Sequence, residues 1–339
     1  MTRFSMLLIL LALPASAFQA AGPPIANGLA ENGVTLPPPP PPALLKLLGE
    51  YENDGKKIYL SERAGKLHCL IESTELSEME AIGRGQFRFP RGSRHGGEEM
   101  RMAAKGLSIG KVFYQRLPAP NRNFRVVLQK PIAELKRIAA VSTVPVQPEG
   151  LLAPDLVNLR SLSPTIHFDI RYATSNNFMG TALYSRADAW MQRPAAEALL
   201  AAHRWLAERG YGLLIHDSYR PWKVTKMFWE ATPVQQRNFV ANPATGSRHN
   251  RGCAVDLSMY SLKTGKAVET VSGYDEFSDR AYPDYPGGTS QQRWLRGLLR
   301  KSLEDRGFIV NSDEWWHFDY KDWRKYPVLD LSFETLGSH

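Results

Sequence analysis

The chain has 339 residues, of which 43% are hydrophobic and 22% charged, a composition typical of a soluble globular protein. This length exceeds what one hydrophobic core usually organises, so we expect two domains. The formal charge of +8 is spread along the chain without a run of five or six Lys or Arg residues, which argues against a nucleic-acid-binding protein.

The first seventeen residues have the pattern of a signal peptide. Arg3 supplies a short positive region, and residues 6–13 form an apolar stretch that is too short to span a bilayer. Residues 14–17 end in a small-x-small pattern, which predicts cleavage after Ala17. A buried N-terminal helix is less favoured because the stretch is not amphipathic. We therefore predict an exported, periplasmic protein whose mature chain has no transmembrane segment.

Three segments with different composition follow. Residues 18–43 are rich in Ala, Gly and Pro and end in six consecutive prolines, which predicts a polyproline spacer. Residues 44–130 contain short alternating runs between Gly- and Asn-containing turns, which predicts a small all-β domain of unknown role. This region loosely resembles the lipocalin-like β-modules appended to some exported hydrolases. Residues 131–154 are predicted to be a linker, since they hold two proline-containing stretches.

Helical and strand patterns alternate in residues 155–335. Ala195, Leu199, Ala202 and Leu206 recur at helical spacing within 187–209, and Gly210 ends that helix. Further helices are predicted from 221 and over 291–306, and strands over 164–172, 211–217, 254–260 and 315–320. The pattern predicts an α+β domain with an antiparallel sheet flanked by helices.

Two short stretches in this domain carry residues with metal-binding chemistry. His249 and Asp256 lie seven positions apart around Gly252, and Glu314 precedes His317 by three. A catalytic zinc takes three ligands of His and carboxylate type, and a carboxylate in an apolar strand is costly unless it binds a positive charge. On spacing alone, a chance pairing of these residues stays as good an interpretation as a catalytic metal site.

Five motifs in the same order, however, resemble a known family. Ser247-x-His249-x-x-Gly252-x-Ala254-x-Asp256 together with Glu314-Trp315-Trp316-His317 resembles the zinc-dependent D-alanyl-D-alanine dipeptidases, the VanX-like group of the D,D-peptidases. The other three matching segments are 169–180, 211–221 and 273–277. The resemblance covers about 155–325 and implies a D,D-peptidase or hedgehog-like zinc fold. The extra N-terminal domain lies outside it.

The resemblance also implies a role for each matching residue. His249, Asp256 and His317 match the ligands of one zinc ion, and Glu314 matches the general acid/base that moves protons of the activated water. Arg220 matches the residue that stabilises the oxyanion. Asp275, Ser247 and Tyr172 match substrate-binding positions, with Asp275 on the free amino group. The implied reaction is hydrolysis of D-alanyl-D-alanine to two D-alanines in cell-wall peptide turnover or recycling.

Two other functions stay open from the sequence. The protein could be a D,D- or L,D-carboxypeptidase that trims longer peptidoglycan stem peptides. A non-catalytic envelope-binding protein is a third option, although Glu314 and Arg220 argue against it because binding alone requires neither. The oligomeric state and the role of the N-terminal domain stay undetermined. Cys69 and Cys253 fall in different predicted domains, so we expect two free, buried thiols.

Overall fold

The structure is a computed structural model that describes residues 35–337. The predicted signal peptide and most of the polyproline spacer lie outside the described residues. Over the described range, no helix combines the length and the apolar character that crossing a bilayer requires. Buried apolar side chains form two clusters, one inside an N-terminal sheet and one spanning most of the chain after it. Cys69 lies in the first cluster and Cys253 in the second, and both are free thiols, as predicted.

The N-terminal part is a nine-stranded antiparallel meander preceded by a short helix, α1 (Pro42–Leu45). Its strands are β1 (Gly49–Asn53), β2 (Lys56–Arg63), β3 (Lys66–Ile71), β4 (Glu75–Glu78), β5 (Glu80–Gly83), β6 (Gln86–Arg88), β7 (Glu99–Ala103), β8 (Gly106–Ile109) and β9 (Val112–Arg116). The strand order is β4-β3-β2-β1-β9-β8-β7-β6-β5. The first and last strands of this order are joined in the chain by Met79 alone.

That connection forces the sheet to curl. Neighbouring strands lie about 4.8 Å apart, so a flat sheet would place its two edges roughly 38 Å apart. One residue cannot span that distance, so β4 and β5 must approach each other as the sheet rolls around its buried side chains. We call residues 49–116 the rolled sheet. Tyr51, Leu60 and Met100 are fully buried within its core.

The connection between the two halves is partly ordered into a helix. Residues 117–130 cross the second half without forming a helix or strand, and helix α2 (Ile132–Val141) then packs against a helix of that half. Leu135 and Ala139 are its buried positions, at the four-residue spacing of one helix face. Residues 131–154, predicted as a linker, therefore contain a helix that contributes to the core.

The second half is built on a five-stranded sheet of order β11-β13-β14-β16-β15. Its strands are β11 (His167–Phe168), β13 (Tyr211–Asp217), β14 (Ala254–Ser261), β15 (Phe308–Val310) and β16 (His317–Tyr320), and a separate pair is β10 (Leu156–Asn158) with β12 (Trp190–Gln192). The helices are α3 (Arg193–Ala207), α4 (Trp222–Ala231), α5 (Ser290–Glu304) and α6 (Phe333–Leu336). The α+β class is confirmed.

The antiparallel sheet predicted for this half is wrong at one edge. Strand β11 runs parallel to β13, whereas the other three pairings are antiparallel. Between these two strands the chain passes through β12 and helix α3, and such a crossover returns the chain in the same direction. A hairpin turn, which would have made the pairing antiparallel, is absent between them.

The register of this sheet brings three polar side chains together. Asp217 at the end of β13 pairs with Asp256 in β14, and Asp256 pairs with His317 at the start of β16. These residues are far apart in the chain but lie side by side on three neighbouring strands. Backbone ladders therefore fix them at one end of the sheet.

A partly buried contact of the connection gives a test of its packing. Glu230 on α4 accepts hydrogen bonds from Lys130 and from Lys226, each at 2.8 Å. These bonds lower the pKa of Glu230 from 4.5 to about 2. A lowered folded-state pKa stabilises the protein above the unfolded pKa, and that stabilisation is lost as the pH falls towards 2.

We expect Glu230→Gln to lower the free energy of unfolding by about 1 kcal/mol at pH 7, after allowing for the solvent exposure of both lysines. The difference from the unmodified protein should shrink between pH 4.5 and about 2. Denaturant unfolding at several pH values measures it. Glu304→Gln, which removes the exposed partner of Arg300, is the matched control and should change stability by less than about 0.5 kcal/mol. A pH-independent difference would contradict the assignment.

Candidate active site

Three potential ligand atoms face one another at the end of the sheet. His249 Nε2 lies 3.1 Å from His317 Nδ1, Asp256 Oδ1 lies 3.3 Å from His249 Nε2, and Asp256 Oδ1 lies 3.0 Å from His317 Nδ1. All three residues are buried. Within the described residues they form the group that could hold a metal ion.

The outer nitrogens of both histidines are already used. His249 Nδ1 lies 2.6 Å from the carbonyl oxygen of Ser218, and His317 Nε2 lies 2.9 Å from Asp319 Oδ1. Both partners are acceptors, so both outer nitrogens donate. The inner nitrogens, His249 Nε2 and His317 Nδ1, therefore carry lone pairs when the rings are neutral. Second partners of this kind orient metal-binding histidines in proteins.

This arrangement fits a small divalent cation. Asp256 Oδ1 is buried and accepts no hydrogen bond, although two imidazole nitrogens lie beside it. Tetrahedral coordination at about 2.0–2.1 Å places ligand atoms about 3.3 Å apart, close to the three separations observed here. Two neutral imidazoles and one carboxylate also make a donor set of the catalytic zinc type, with one position left for water or substrate.

Local sequence explains how His249 reaches this position. Residues His249–Arg251 form a single 3-10 turn that ends at Gly252, which has a left-handed φ of 66°. A Cβ at this glycine would approach Leu156 Cδ2 to 2.4 Å, so both the backbone conformation and the space require glycine. Asn250 is fully buried, accepts from the backbone N–H of Ser247 and donates to the Arg220 carbonyl. It thereby ties the turn to Arg220, three residues after the end of β13.

Glu314 lies beside the three ligand atoms. Its Oε2 is 3.6 Å from His317 Nδ1, and its side chain is 12% exposed. Burial, together with the carboxylates of Asp256 and Asp275, raises the pKa of Glu314 from 4.5 to about 8, although His317 and Arg220 act against the shift. A carboxylate with a pKa near neutrality can both accept and return a proton at physiological pH.

Arg220 is held rigidly on the other side. Its Nε donates to Asp217 Oδ2 at 2.9 Å, and its Nη2 lies 2.9 Å from the same oxygen. The guanidinium also stacks on the Phe228 ring, 4.8 Å from the ring centroid. Burial alone would lower the pKa of Arg220, but the neighbouring acidic groups, Asp217 first among them, together outweigh it, and the pKa is raised well above its ordinary value. The side chain therefore stays charged, and its Nη2 lies 3.5 Å from Asp256 Oδ2.

A second buried carboxylate outside the ligand cluster, that of Asp275, also lines the site. Asp275 is buried, adopts a left-handed φ of 57°, and accepts a hydrogen bond from Tyr172 Oη at 2.8 Å. The preceding residue, Tyr274, donates from its hydroxyl to Asp256 Oδ2 at 3.0 Å. Burial, and after it the charge of Asp256, raises the pKa of Asp275 from 3.8 to about 8. A cationic group beside Asp275 would favour its ionised form.

The ligand cluster, Glu314, Arg220 and Asp275 line one cavity of about 320 Å³, near the lower end of the roughly 300–1,000 Å³ typical of small-molecule sites. The structure places every residue predicted for the site in its wall: Tyr172, Arg220, Ser247, His249, Asp256, Asp275, Glu314 and His317. Ser247 is buried, and its hydroxyl oxygen accepts from the backbone N–H of His249, so it also shapes the turn.

Sequence reasoning gave no role to the residues that orient this set. Asp319 lies two residues after His317 on β16, a spacing that places both on one face of a strand, so that pattern could have revealed it. Asp217 lies at the end of a buried strand, three residues before Arg220. An acidic residue at the end of an apolar strand was the sequence signal that could have indicated a role for Asp217. The contacts of Tyr274 and Asn250 had no comparable signal.

The D-ala-D-ala dipeptidase family model matches residues 153–333. The D-alanyl-D-alanine dipeptidase of Escherichia coli K12 is 31% identical over 184 residues, which cover 54% of this chain and 94% of that protein. The D-alanyl-D-alanine dipeptidase of Enterococcus faecium is 33% identical over 186 residues, 50% of this chain and 92% of that protein.

The chain is also similar to a third dipeptidase and, weakly, to one solved structure. The D-alanyl-D-alanine dipeptidase of Enterococcus faecalis is 31% identical over 186 residues, again 92% of that protein. The solved structure of the LdcB LD-carboxypeptidase aligns with 61% of this chain and 89% of that chain, at 18% identity and a TM-score of 0.28. That structural similarity is too low to carry an argument.

The contact between His317 and Asp319 predicts a measurable effect on metal binding. We expect Asp319→Asn to lower the affinity for zinc about 10–100-fold, because the neutral amide is a weaker acceptor for the outer histidine nitrogen. Competition titration against a chromophoric chelator measures this without an activity assay. Asp322→Asn, which removes a neighbouring carboxylate paired with Lys325, should leave the affinity unchanged. Equal affinities for Asp319→Asn and the unmodified protein would contradict this role.

Proposed function

This chain belongs to the D-Ala-D-Ala dipeptidase family, whose model matches more than half of it, and we propose that it is a zinc peptidase hydrolysing D-alanyl-D-alanine to two D-alanines. The family predicted from the motifs is confirmed, as is a peptidase activity. We further propose, from the N-terminal sequence, that the enzyme acts on wall-derived peptides after export to the periplasm.

The observation that carries the dipeptide substrate is the position of Asp275. It lines the same cavity as the ligand cluster, and Tyr172 orients its carboxylate. Asp275 also borders a second recess of only about 10 Å³, lined by Arg122, Phe124 and neighbouring residues. A space of that size is at the limit for one water molecule, so this recess has no room for a residue that extends the peptide beyond its amino group. A free ammonium group is the partner that a buried carboxylate favours.

Zinc held by His249, Asp256 and His317 would supply Lewis-acid polarisation of the peptide carbonyl and a water of lowered pKa. Glu314 stands beside the cluster, where its carboxylate takes a proton from the attacking water. The same group then returns that proton to the nitrogen of the leaving D-alanine. Its raised pKa suits both steps, because the group must exchange its proton within one turnover.

Arg220 provides the fixed positive charge. The negative charge that develops on the carbonyl oxygen is stabilised by donors that are already oriented before the reaction. Asp217 and Phe228 hold the guanidinium in place, so little reorganisation is needed. Lysine could not replace it at the same position, since an ammonium group lacks the planar set of donors that contacts Asp217 and the substrate together.

We expect Glu314→Gln to lower kcat for D-Ala-D-Ala about 10²–10⁴-fold while the protein still binds one zinc ion per chain. Gln keeps the size of the side chain but cannot accept the proton. Release of D-alanine and metal content measured on the same preparation provide the test. Asp313→Asn, at a neighbouring acidic position that also lines the cavity, is the matched control and should retain activity within a few-fold. Full activity of Glu314→Gln would overturn its assignment as the base.

The substrate assignment has its own test. We expect the unmodified enzyme to cleave D-Ala-D-Ala and to leave N-acetyl-D-Ala-D-Ala and a tripeptide ending in D-Ala-D-Ala almost uncut. Asp275→Asn should raise KM for the dipeptide about 10–100-fold, since a charge-assisted hydrogen bond is lost. Efficient cleavage of the tripeptide would instead favour a D,D-carboxypeptidase, and cleavage of neither substrate by zinc-loaded enzyme would refute both.

A further inference from the structure

The loop that carries Tyr274 and Asp275 is anchored by residues outside the family match. Glu276, the next residue, is buried, and its carboxylate accepts four hydrogen bonds. Its Oε2 accepts from the backbone N–H groups of Asn121 (2.9 Å) and Gly273 (3.1 Å). Its Oε1 accepts from Ser278 Oγ (3.0 Å) and Arg280 Nη1 (2.9 Å). Asn121 belongs to the connection that follows the rolled sheet.

Arg280 extends this anchor to the rolled sheet itself. It is 7% exposed, and its Nη2 donates to Glu50 Oε2 at 2.8 Å and to the Pro118 carbonyl at 2.6 Å. Glu50 lies on β1 and is 6% exposed. One buried guanidinium thus joins the rolled sheet, the connection and the loop that carries Tyr274 and Asp275. Removing one partner of such a buried ion pair leaves an uncompensated charge, so the network is costly to open.

Close packing adds to these bonds. A Cβ on Gly273 would lie 2.8 Å from Arg122 Cα and 3.0 Å from the Asn121 carbonyl oxygen, so the loop and the connection touch through their backbones. The ring centroids of Phe124 and Phe277 are 5.1 Å apart. The connection therefore covers the outer side of the loop along its length.

The loop that carries Asp275 is also bonded to the residue that follows Glu314, the proposed general base. The carbonyl oxygen of Ala281, next to Arg280, accepts from the backbone N–H of Trp315 at 2.7 Å. Trp315 directly follows Glu314, and its indole N–H donates to Ser272 Oγ at 2.8 Å. Both ends of the loop, Ser272 and Ala281, are thus fixed to the turn that presents the general base.

Asp275 requires such support. It has a left-handed backbone conformation, which is costly for a residue other than glycine and persists only when its surroundings impose it. Unlike the metal-binding positions on β14 and β16, it belongs to no strand ladder. Side-chain contacts from elsewhere must therefore hold it.

We propose that Arg280 and Glu276 are positioning residues through which the rolled sheet holds Asp275 in the orientation that binds the substrate's amino group. The N-terminal domain is then a structural part of the specificity site. This inference rests on the proposed dipeptidase function. It goes beyond it because it assigns a role to residues 49–130, which the family match does not cover.

The test compares Glu276→Gln and Glu50→Gln with the matched control Glu269→Gln in the full-length, zinc-loaded enzyme. Each change removes one carboxylate charge without changing side-chain size. Glu269 pairs with Arg122 of the same connection, but its side chain is 79% exposed, so its loss should have no effect. KM and kcat are measured for D-Ala-D-Ala and, at high enzyme concentration, for N-acetyl-D-Ala-D-Ala, which has no ammonium group.

We expect both buried variants to raise KM for D-Ala-D-Ala about ten-fold with kcat within about two-fold, because binding to Asp275 is common to the ground state and transition state. The slow rate on the acetylated dipeptide should not fall. The double variant should raise KM by less than the product of the single effects, since both carboxylates act through Arg280. Unchanged KM in both folded variants would overturn the proposal, as would equal losses on both substrates.

A substitute variant covers the case of misfolding, and activity of the unmodified enzyme separates the two proposals. If Glu276→Gln does not fold, Gly273→Ala replaces it: the added methyl group separates the loop from the connection without removing a charge, and the same rise in KM is expected. An unmodified enzyme that is inactive on D-Ala-D-Ala would refute the proposed function. An active unmodified enzyme whose variants keep normal KM values would refute this inference alone.

Discussion

Three buried acceptor atoms that point at one another define this structure: His249 Nε2, His317 Nδ1 and Asp256 Oδ1. Hydrogen bonds to the Ser218 carbonyl and to Asp319 leave no proton for the inner nitrogens of neutral rings. Lone pairs about 3 Å apart repel each other unless a cation lies between them. The register of β14 with β16, together with the turn that carries His249, nevertheless enforces the approach, so the fold maintains a site that favours a bound positive charge.

The charges around the cavity extend the same argument. The carboxylates of Asp217, Asp256, Asp275 and Glu314 are buried or nearly so, and the guanidinium of Arg220 lies among them. Burial, and after it the neighbouring carboxylates, raise the pKa values of Asp275 and Glu314 to about 8 each. A divalent cation and the ammonium group of a substrate are the two species that would relieve this excess of negative charge. Metal and substrate thus complete the electrostatics that the chain leaves unbalanced.

The sequence predicted the residues of the site better than their arrangement. His249 and Asp256 could be found because a tight turn runs into an apolar strand within ten residues, and the family resemblance supplied Arg220, Asp275 and Glu314. The pairing of Asp256 with His317 depends on strand register, which no local pattern specifies. Similarly, alternation predicted strands in residues 44–130, but the rolling of the sheet follows from the pairing of all nine. The contact between Glu50 and Arg280 joins residues 230 positions apart and carries no local signal.

The ligand cluster and Asp275 are held by different physical means. A strand ladder fixes Asp256 and His317 and a tight turn carries His249, whereas a side-chain network centred on a buried arginine holds the loop that carries Asp275. Such a network is held only when every charge keeps its partner, and opening a buried ion pair costs about 3–5 kcal/mol. Glu50 is one of those partners, so separating the rolled sheet from the second half would break the buried ion pair between Glu50 and Arg280, next to the pair that Arg280 forms with Glu276. Under the proposed function, one buried network therefore connects the added domain to the loop that carries Asp275.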